Sequence, residues 1–437
     1  MRKYASRPGR HAYRAPGRDG CDNAARCLPP VDLALERAIR RNTVILGSTF
    51  AIGWAVIQLQ SALTAITTEV LTGETAVAGV GSALFLVALG LVAVPAGRLM
   101  DRVGRGPVLT LGFLAAAAAS GVLFVAVEYR LVPLFFAALV ALGLGLGTVN
   151  LARVGAADMA PPDKRASRVG RVLLGAAVGA ILGPIVFSPL LSNRTGDPSS
   201  LAAPWIVAAA LAALGAGVVL GMRRDPLSIA RELGAAPGAA PALAGRRSLR
   251  LVYTDPTLRA GLLAVVVAQV VMASAMSVVG LEMHHRGQDL GAISVALGVH
   301  FVGMFGLAPV LGRAVDAVGR RPAMSLGLVI VATGALGLAL GSTLSTVLPS
   351  IFLVGAGWNI AYLAGTALVA DATTPNERAS ALGVLDMGGL VGAALTTVLA
   401  PAVLAVAGLG PLVVAAAVVA LVPAVILFSA GRLAPAT

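Results

Sequence analysis

Gly97-Arg98-Leu99-Met100-Asp101-Arg102-Val103-Gly104-Arg105-Gly106-Pro107 and Gly312-Arg313-Ala314-Val315-Asp316-Ala317-Val318-Gly319-Arg320-Arg321-Pro322 are one motif written twice, 215 positions apart. A second pair follows at nearly the same offset, 213 positions: Asp158, Pro162 and Arg165-Ala166-Ser167 match Asp371, Pro375 and Arg378-Ala379-Ser380. That register continues downstream, where Gly170, Gly175 and Gly179 match Gly383, Gly388 and Gly392. Two registered motif sets imply two copies of one unit, joined head to tail.

The runs between these polar loops are written for lipid. The chain has 437 residues, 57% hydrophobic and 12% charged, against about 25% charged in a soluble domain. Leu131 to Asn150 carries no charge at all, and about 20 such residues cross a hydrocarbon core. Backbone in lipid must bond to itself, as helices or closed barrels. Barrel strands alternate apolar and polar residues; these runs do not. The expectation is an all-α membrane protein with spans at 43–67, 77–97, 107–127, 132–156, 169–192, 202–221, 257–281, 291–312, 323–342, 345–369, 379–407 and 410–430. These twelve transmembrane helices form two pseudo-symmetric six-helix bundles, 43–221 and 257–430. A linker, 222–256, joins them, and 431–437 is a C-terminal tail. Parallel repeats of this kind place a substrate site between the halves, near the middle of the membrane.

The net charge of +13 does not call for nucleic acid. With the N-terminus inside, every Lys and Arg except Arg130, Arg194 and Arg286 falls on the cytoplasmic side. That bias expects a multi-pass protein of the inner (plasma) membrane with both termini cytoplasmic. Residues 1–42 are Arg-, Gly- and Pro-rich and lack the apolar core of a secretory signal; they read as a disordered basic tail. Both cysteines, Cys21 and Cys27, lie there, so no disulfide framework is expected. No HExxH, GxSxG or P-loop occurs; the chain is expected not to be an enzyme and to need no cofactor.

The duplicated G-x3-D-x2-G-R-x-P loop resembles the signature loop of the major facilitator superfamily, here present in both halves across residues 43–430. The resemblance implies a secondary transporter of a small solute, working by alternating access and functional as a monomer. It makes Gly97, Asp101, Gly104, Arg105, Gly312, Asp316, Gly319 and Arg320 gating residues. Asp101 would face the start of helix 11 and Asp316 the start of helix 5, each carboxylate meeting a positive helix N-terminus; the alternative is loops that only set topology. Gly170, Gly179, Gly183 and Pro184 resemble the proton-antiporter motif of helix 5, and small residues at such spacing also serve helix packing.

Polar residues inside a membrane are functional candidates by default. Here they are Gln58, Gln60, Asn150, Arg153, Gln269, His300, Asn359 and Asp386. Asp386 carries a coupling proton or pairs with an arginine; it and Arg153 are expected nearer the cytoplasmic side and partly wet. Met272 and Met276 on helix 7, and His300 and Met304 on helix 8, are each spaced i,i+4 and share a helix face. About a short hairpin centred near residue 288, Met272 is level with Met304 and Met276 with His300. Thioethers with imidazole suit Cu(I), and Met283, His284 and His285 would collect it at the outer mouth. The same four residues resemble the copper-importing branch of the superfamily linked to cytochrome oxidase assembly, related members of which are thought to move riboflavin. Copper import and proton-coupled transport of an organic solute, by drug efflux or vitamin uptake, both stay open. So does a receptor or assembly factor on the same scaffold.

Overall fold

The computed structural model describes residues 33–74, 77, 79–191, 198–234, 254–285, 288, 290–341 and 343–432. No strand occurs among them. The first half comprises α1 (Leu33–Thr72), α2 (Val80–Val103), α3 (Arg105–Glu128), α4 (Val132–Asp158), α5 (Arg165–Leu191) and α6 (Pro198–Leu220). The second comprises α7 (Pro256–His285), α8 (Leu290–Phe301, continuing to Val318), α9 (Arg320–Gly337), α10 (Leu344–Asp371), α11 (Arg378–Ala407) and α12 (Leu409–Arg432).

Ten of these helices are long and apolar enough to cross a membrane, and α8 is an eleventh, bent by 44°. The remaining helix, α9, has 18 residues and opens on Arg320-Arg321, which lowers its mean hydropathy. At 1.5 Å per residue it still runs about 27 Å. The helix ends follow the motif. Gly104 and Gly319 have φ of +106° and +96°, a region costly for any residue with a Cβ, and there α2 breaks from α3 and α8 from α9.

Packing repeats between the halves. Helix α1 packs on α5 and α6, and α3 on α4 and α6; likewise α7 packs on α11 and α12, and α9 on α10 and α12. The halves meet where α5 lies against α8 and where α11 lies against α2.

Two expectations change. Helix α1 begins at Leu33, inside the stretch expected to be disordered, because Ala38 and Asn42 continue its buried stripe and Asn42 Nδ2 donates to Arg224 O at 2.7 Å. The linker holds a short helix, Pro226–Gly234, with Leu227, Ile229 and Ala230 buried. Asp225 Oδ1 accepts from Leu227 N at 2.8 Å, the geometry of an acidic N-cap followed by proline. Cys21 and Cys27 lie outside the described residues.

Candidate functional site

Two groups of charges join the halves on the face that carries the Arg-rich loops. At the first, the start of α11 leaves backbone N–H groups without intrahelical partners. Asp101 takes them: Ala379 N donates at 3.1 Å and Ser380 N at 2.8 Å, and Ser380 Oγ adds a third bond at 2.5 Å. Arg105 bridges Asp101 at 3.1 Å, Asp158 at 2.8 Å and, across the interface, Pro375 O at 2.8 Å. Arg378 of α11 closes the group on Asp158 at 2.6 Å. All four side chains are buried.

The second group repeats the first with the halves exchanged. Asp316 accepts from Ala166 N at 3.1 Å and Ser167 N at 2.8 Å at the start of α5. Arg320 holds Asp316 at 2.6 Å and Asp371 at 3.0 Å, and also reaches Pro162 O. Arg165 meets Asp371 at 2.6 Å. This group is wetter, the Asp371 side chain being 26% exposed. Close backbone approach makes both contacts reachable. A Cβ on Gly97 would strike the Ala379 carbonyl, and one on Gly312 would sit 2.6 Å from Ala166 O.

Behind these groups, a cavity of about 150 Å³ lies between the halves. Its wall is aromatic. Trp358 stacks on Tyr362 with centroids 4.6 Å apart, and Trp54 meets Phe305 edge-on at 4.6 Å. Trp358 Nε1 donates to Gln269 Oε1 at 2.6 Å. Trp54 Nε1 is buried with no partner among the described residues, and Asn150 adds an amide. Asp386 of α11 also lines the cavity. Arg153 of α4 grips it with both terminal nitrogens, at 2.6 and 2.7 Å. The guanidinium sits over the Tyr362 ring, 4.8 Å from its centroid, within cation–π reach. Both members are buried, not partly wet as expected: the Tyr362 ring of α10 covers the guanidinium, and its hydroxyl lies 3.4 Å from Asp386 Oδ1.

The Met and His residues do not form the expected pair of rungs. Helix α7 packs on α10, α11, α9 and α12 and barely touches α8, so among the described residues the two do not pack as a hairpin. Met272 and Met304 do line the cavity. His300 turns instead to α10, its Nδ1 3.1 Å from Ile351 O, and Met276 lies outside the lining. The π-helical turn Val302–Gly306 also shifts the phase between His300 and Met304, so α-helical spacing does not apply to them. Met283 is buried rather than open at a mouth. The side chains of Pro184, His284 and His285 lie outside the described residues. Gly179 and Gly183 press on the α1 backbone at Ala51 and Ala55.

Sequence reading passed over Trp54, Phe305, Trp358 and Tyr362. Scarcity was the available signal: the chain has three Trp, and two of them wall this cavity.

Residues 43–282 and 261–436 match the model of the Major Facilitator Superfamily. The uncharacterized MFS-type transporter YdeG of Bacillus subtilis (strain 168) is 33% identical over 349 residues, covering 77% of this chain and 80% of that protein. The riboflavin transporter RfnT of Brucella anthropi is 26% identical over 359 residues, covering 82% and 88%. Among solved structures, the human organic anion transporter MFSD10 (TETRAN) superposes with a TM-score of 0.72 at 18% identity, covering 92% of this chain and 100% of that one. The E. coli fucose:proton symporter FucP gives 0.70 at 17% identity, covering 90% and 98%. At these identities the structural likeness is one of fold.

Proposed function

Because this chain belongs to the major facilitator superfamily and is a multi-pass membrane transporter, we propose that it carries a planar heteroaromatic solute, of the size and kind of riboflavin, by alternating access. The observation that carries the reading is the cavity between the halves, walled by Trp54, Phe305, Trp358 and Tyr362. Flat aromatic faces favour stacking, worth about 0.5–1.5 kcal/mol per pair beyond buried area. Trp54 Nε1, Asn150 and Gln269 supply the few polar contacts that orient such a solute. Ligand pockets usually enclose about 300–1,000 Å³, more than this cavity holds, so the solute occupies a wider form reached when the halves rock apart. The relationship to the riboflavin transporter RfnT points to the same solute class.

In this reading the Arg-rich face is cytoplasmic and both termini are inside. The Asp101 and Asp316 groups hold that face shut, and Asp386 carries the coupling proton. Releasing Arg153 from Asp386 frees α4 from α11, and protonation of the carboxylate is the step that permits it.

Copper import is the weaker reading. Met272 and Met304 give two thioethers at the cavity, but His300 is committed to Ile351 O and Met276 stands apart. The test is uptake into right-side-out membrane vesicles, with labelled riboflavin and copper measured in parallel. Saturable riboflavin uptake, competed by other flat heteroaromatics, supports the proposal; copper uptake without it refutes it.

A further inference from the structure

A second cavity exceeds the central one in volume. A groove of about 670 Å³ opens at the basic end of the second half, between α7, α9, α11 and α12. Its walls are apolar, built from Leu262, Leu263, Val266, Met387 and Ile426, and two arginines, Arg259 and Arg321, stand in its lining.

The groove is a departure from the internal repeat. In the first half, Gly175 of α5 presses directly on the Gly47 backbone of α1, and Gly179 on that of Ala51. At the matching places in the second half, Gly388 and Gly392 of α11 face α7. Leu262 and Val266 there replace Gly47 and Ala51. These side chains stand between the helices: a Cβ on Gly388 would meet Val266 at 2.9 Å and Leu262 at 3.5 Å. Helices that touch by backbone in one half are held apart in the other. Charge also differs. Arg259 and Arg321 occupy the places of Val44 and Gly106. In the first half, Gly106 N is bonded by Asp225 of the linker at 2.8 Å, so an acid sits where the second half has a base.

We infer that this groove binds an anionic phospholipid of the cytoplasmic leaflet, one acyl chain along the Leu262, Leu263 and Val266 wall and the phosphate on Arg259 and Arg321. An apolar slot ending in two guanidinium groups matches the two parts of such a lipid. Arginine is the side chain suited to phosphate, and basic pockets between helices on the cytoplasmic side take anionic headgroups. The leaflet rests on the orientation proposed above. The site itself does not depend on which solute the central cavity carries.

Native mass spectrometry of the full-length protein in detergent, titrated with dioleoylphosphatidylglycerol or dioleoylphosphatidylcholine, tests the proposal. Phosphatidylglycerol is expected to bind at one saturable site and phosphatidylcholine weakly. The Arg259→Gln/Arg321→Gln variant should weaken phosphatidylglycerol about thirtyfold, near fivefold per arginine, while Arg259→Lys/Arg321→Lys keeps most of the binding. Leu263→Trp, which fills the groove and leaves its charge, should also weaken the lipid and decides the matter if the Gln variant fails to fold. Equal binding by wild type and both the Gln and Trp variants overturns the proposal. So does an equal loss in Arg223→Gln, a linker arginine away from the groove, because diffuse charge would then suffice. Displacement of the lipid by inorganic phosphate at similar concentration would make the site one for a free anion and overturn it too.

Discussion

Arg153 and Asp386 form a two-pronged ion pair across the interface between the halves, at 2.6 and 2.7 Å, with neither residue more than 4% exposed. The pair ties α4 to α11, so the halves cannot part near it while it stands. Removing one partner of a buried pair costs about 3–5 kcal/mol, whereas replacing both with apolar residues is often neutral. Asp386→Asn is therefore expected to lower thermal stability, and Arg153→Leu/Asp386→Leu to recover it. Neither variant should concentrate solute against a gradient, while the double variant should still exchange labelled for unlabelled solute. Concentrative uptake by the double variant would remove Asp386 from coupling.

The two charge groups at the basic face are alike in pattern but unequal in burial. The Asp101 and Asp158 side chains are fully covered, while Asp316 is 9% and Asp371 26% exposed. Buried partners lose several kcal/mol when unpaired, about 3–5, and exposed ones about 0–1. Asp101→Asn should therefore open the basic face more than Asp316→Asn. Thiol labelling of single cysteines placed near residues 97 and 312 reads this directly. Equal labelling of the two variants would mean that the loops set topology and do not gate.

Gly97 sits against the Ala379 carbonyl, where a Cβ has no room. Gly97→Val is expected to express and insert normally yet fail to shut the basic face. Transport should fall at least tenfold, and spin labels on α2 and α11 should show a longer separation than in wild type. A wild-type distance with wild-type uptake would show that the close approach is dispensable.

His300 Nδ1 lies 3.1 Å from Ile351 O beside the π-helical turn, a contact that fits a packing role. His300→Phe should cost about 1 kcal/mol, the net worth of one hydrogen bond, visible as a small fall in melting temperature, and leave solute uptake near wild type. Loss of uptake at unchanged stability would return His300 to the transport path.

Much of this architecture was legible in the sequence because it is local and periodic. Apolar runs mark helices, and the duplicated Gly97–Pro107 and Gly312–Pro322 motifs mark the repeat and its loops. Burial and pairing between distant helices are not local. Nothing in the spacing of Arg153 and Asp386 announces that they meet, and α-helical counting through residues 300–304 fails where a π-turn intervenes. Equal distances from a hairpin centre placed Met276 and His300 level, but level is not adjacent when α7 packs mainly on α11 and α10, and α8 on α10 and α5. The aromatic wall was hidden for the opposite reason. Each Trp or Phe alone reads as ordinary core, and only the fold gathers Trp54, Phe305, Trp358 and Tyr362 around one space.

The proposed function puts a flat aromatic solute against that wall. Its most direct measurement is riboflavin binding to the purified full-length protein, followed by quenching of flavin fluorescence, in wild type and Trp358→Ala, with Trp205→Phe as a control in the buried core of the other half. Wild type and Trp205→Phe should bind saturably with one affinity, and Trp358→Ala at least about tenfold more weakly, given stacking plus the area lost. Unchanged affinity in Trp358→Ala, or no binding of riboflavin or any other flat heteroaromatic while Cu(I) binds in a manner lost in Met272→Leu/Met304→Leu, would refute the proposed function.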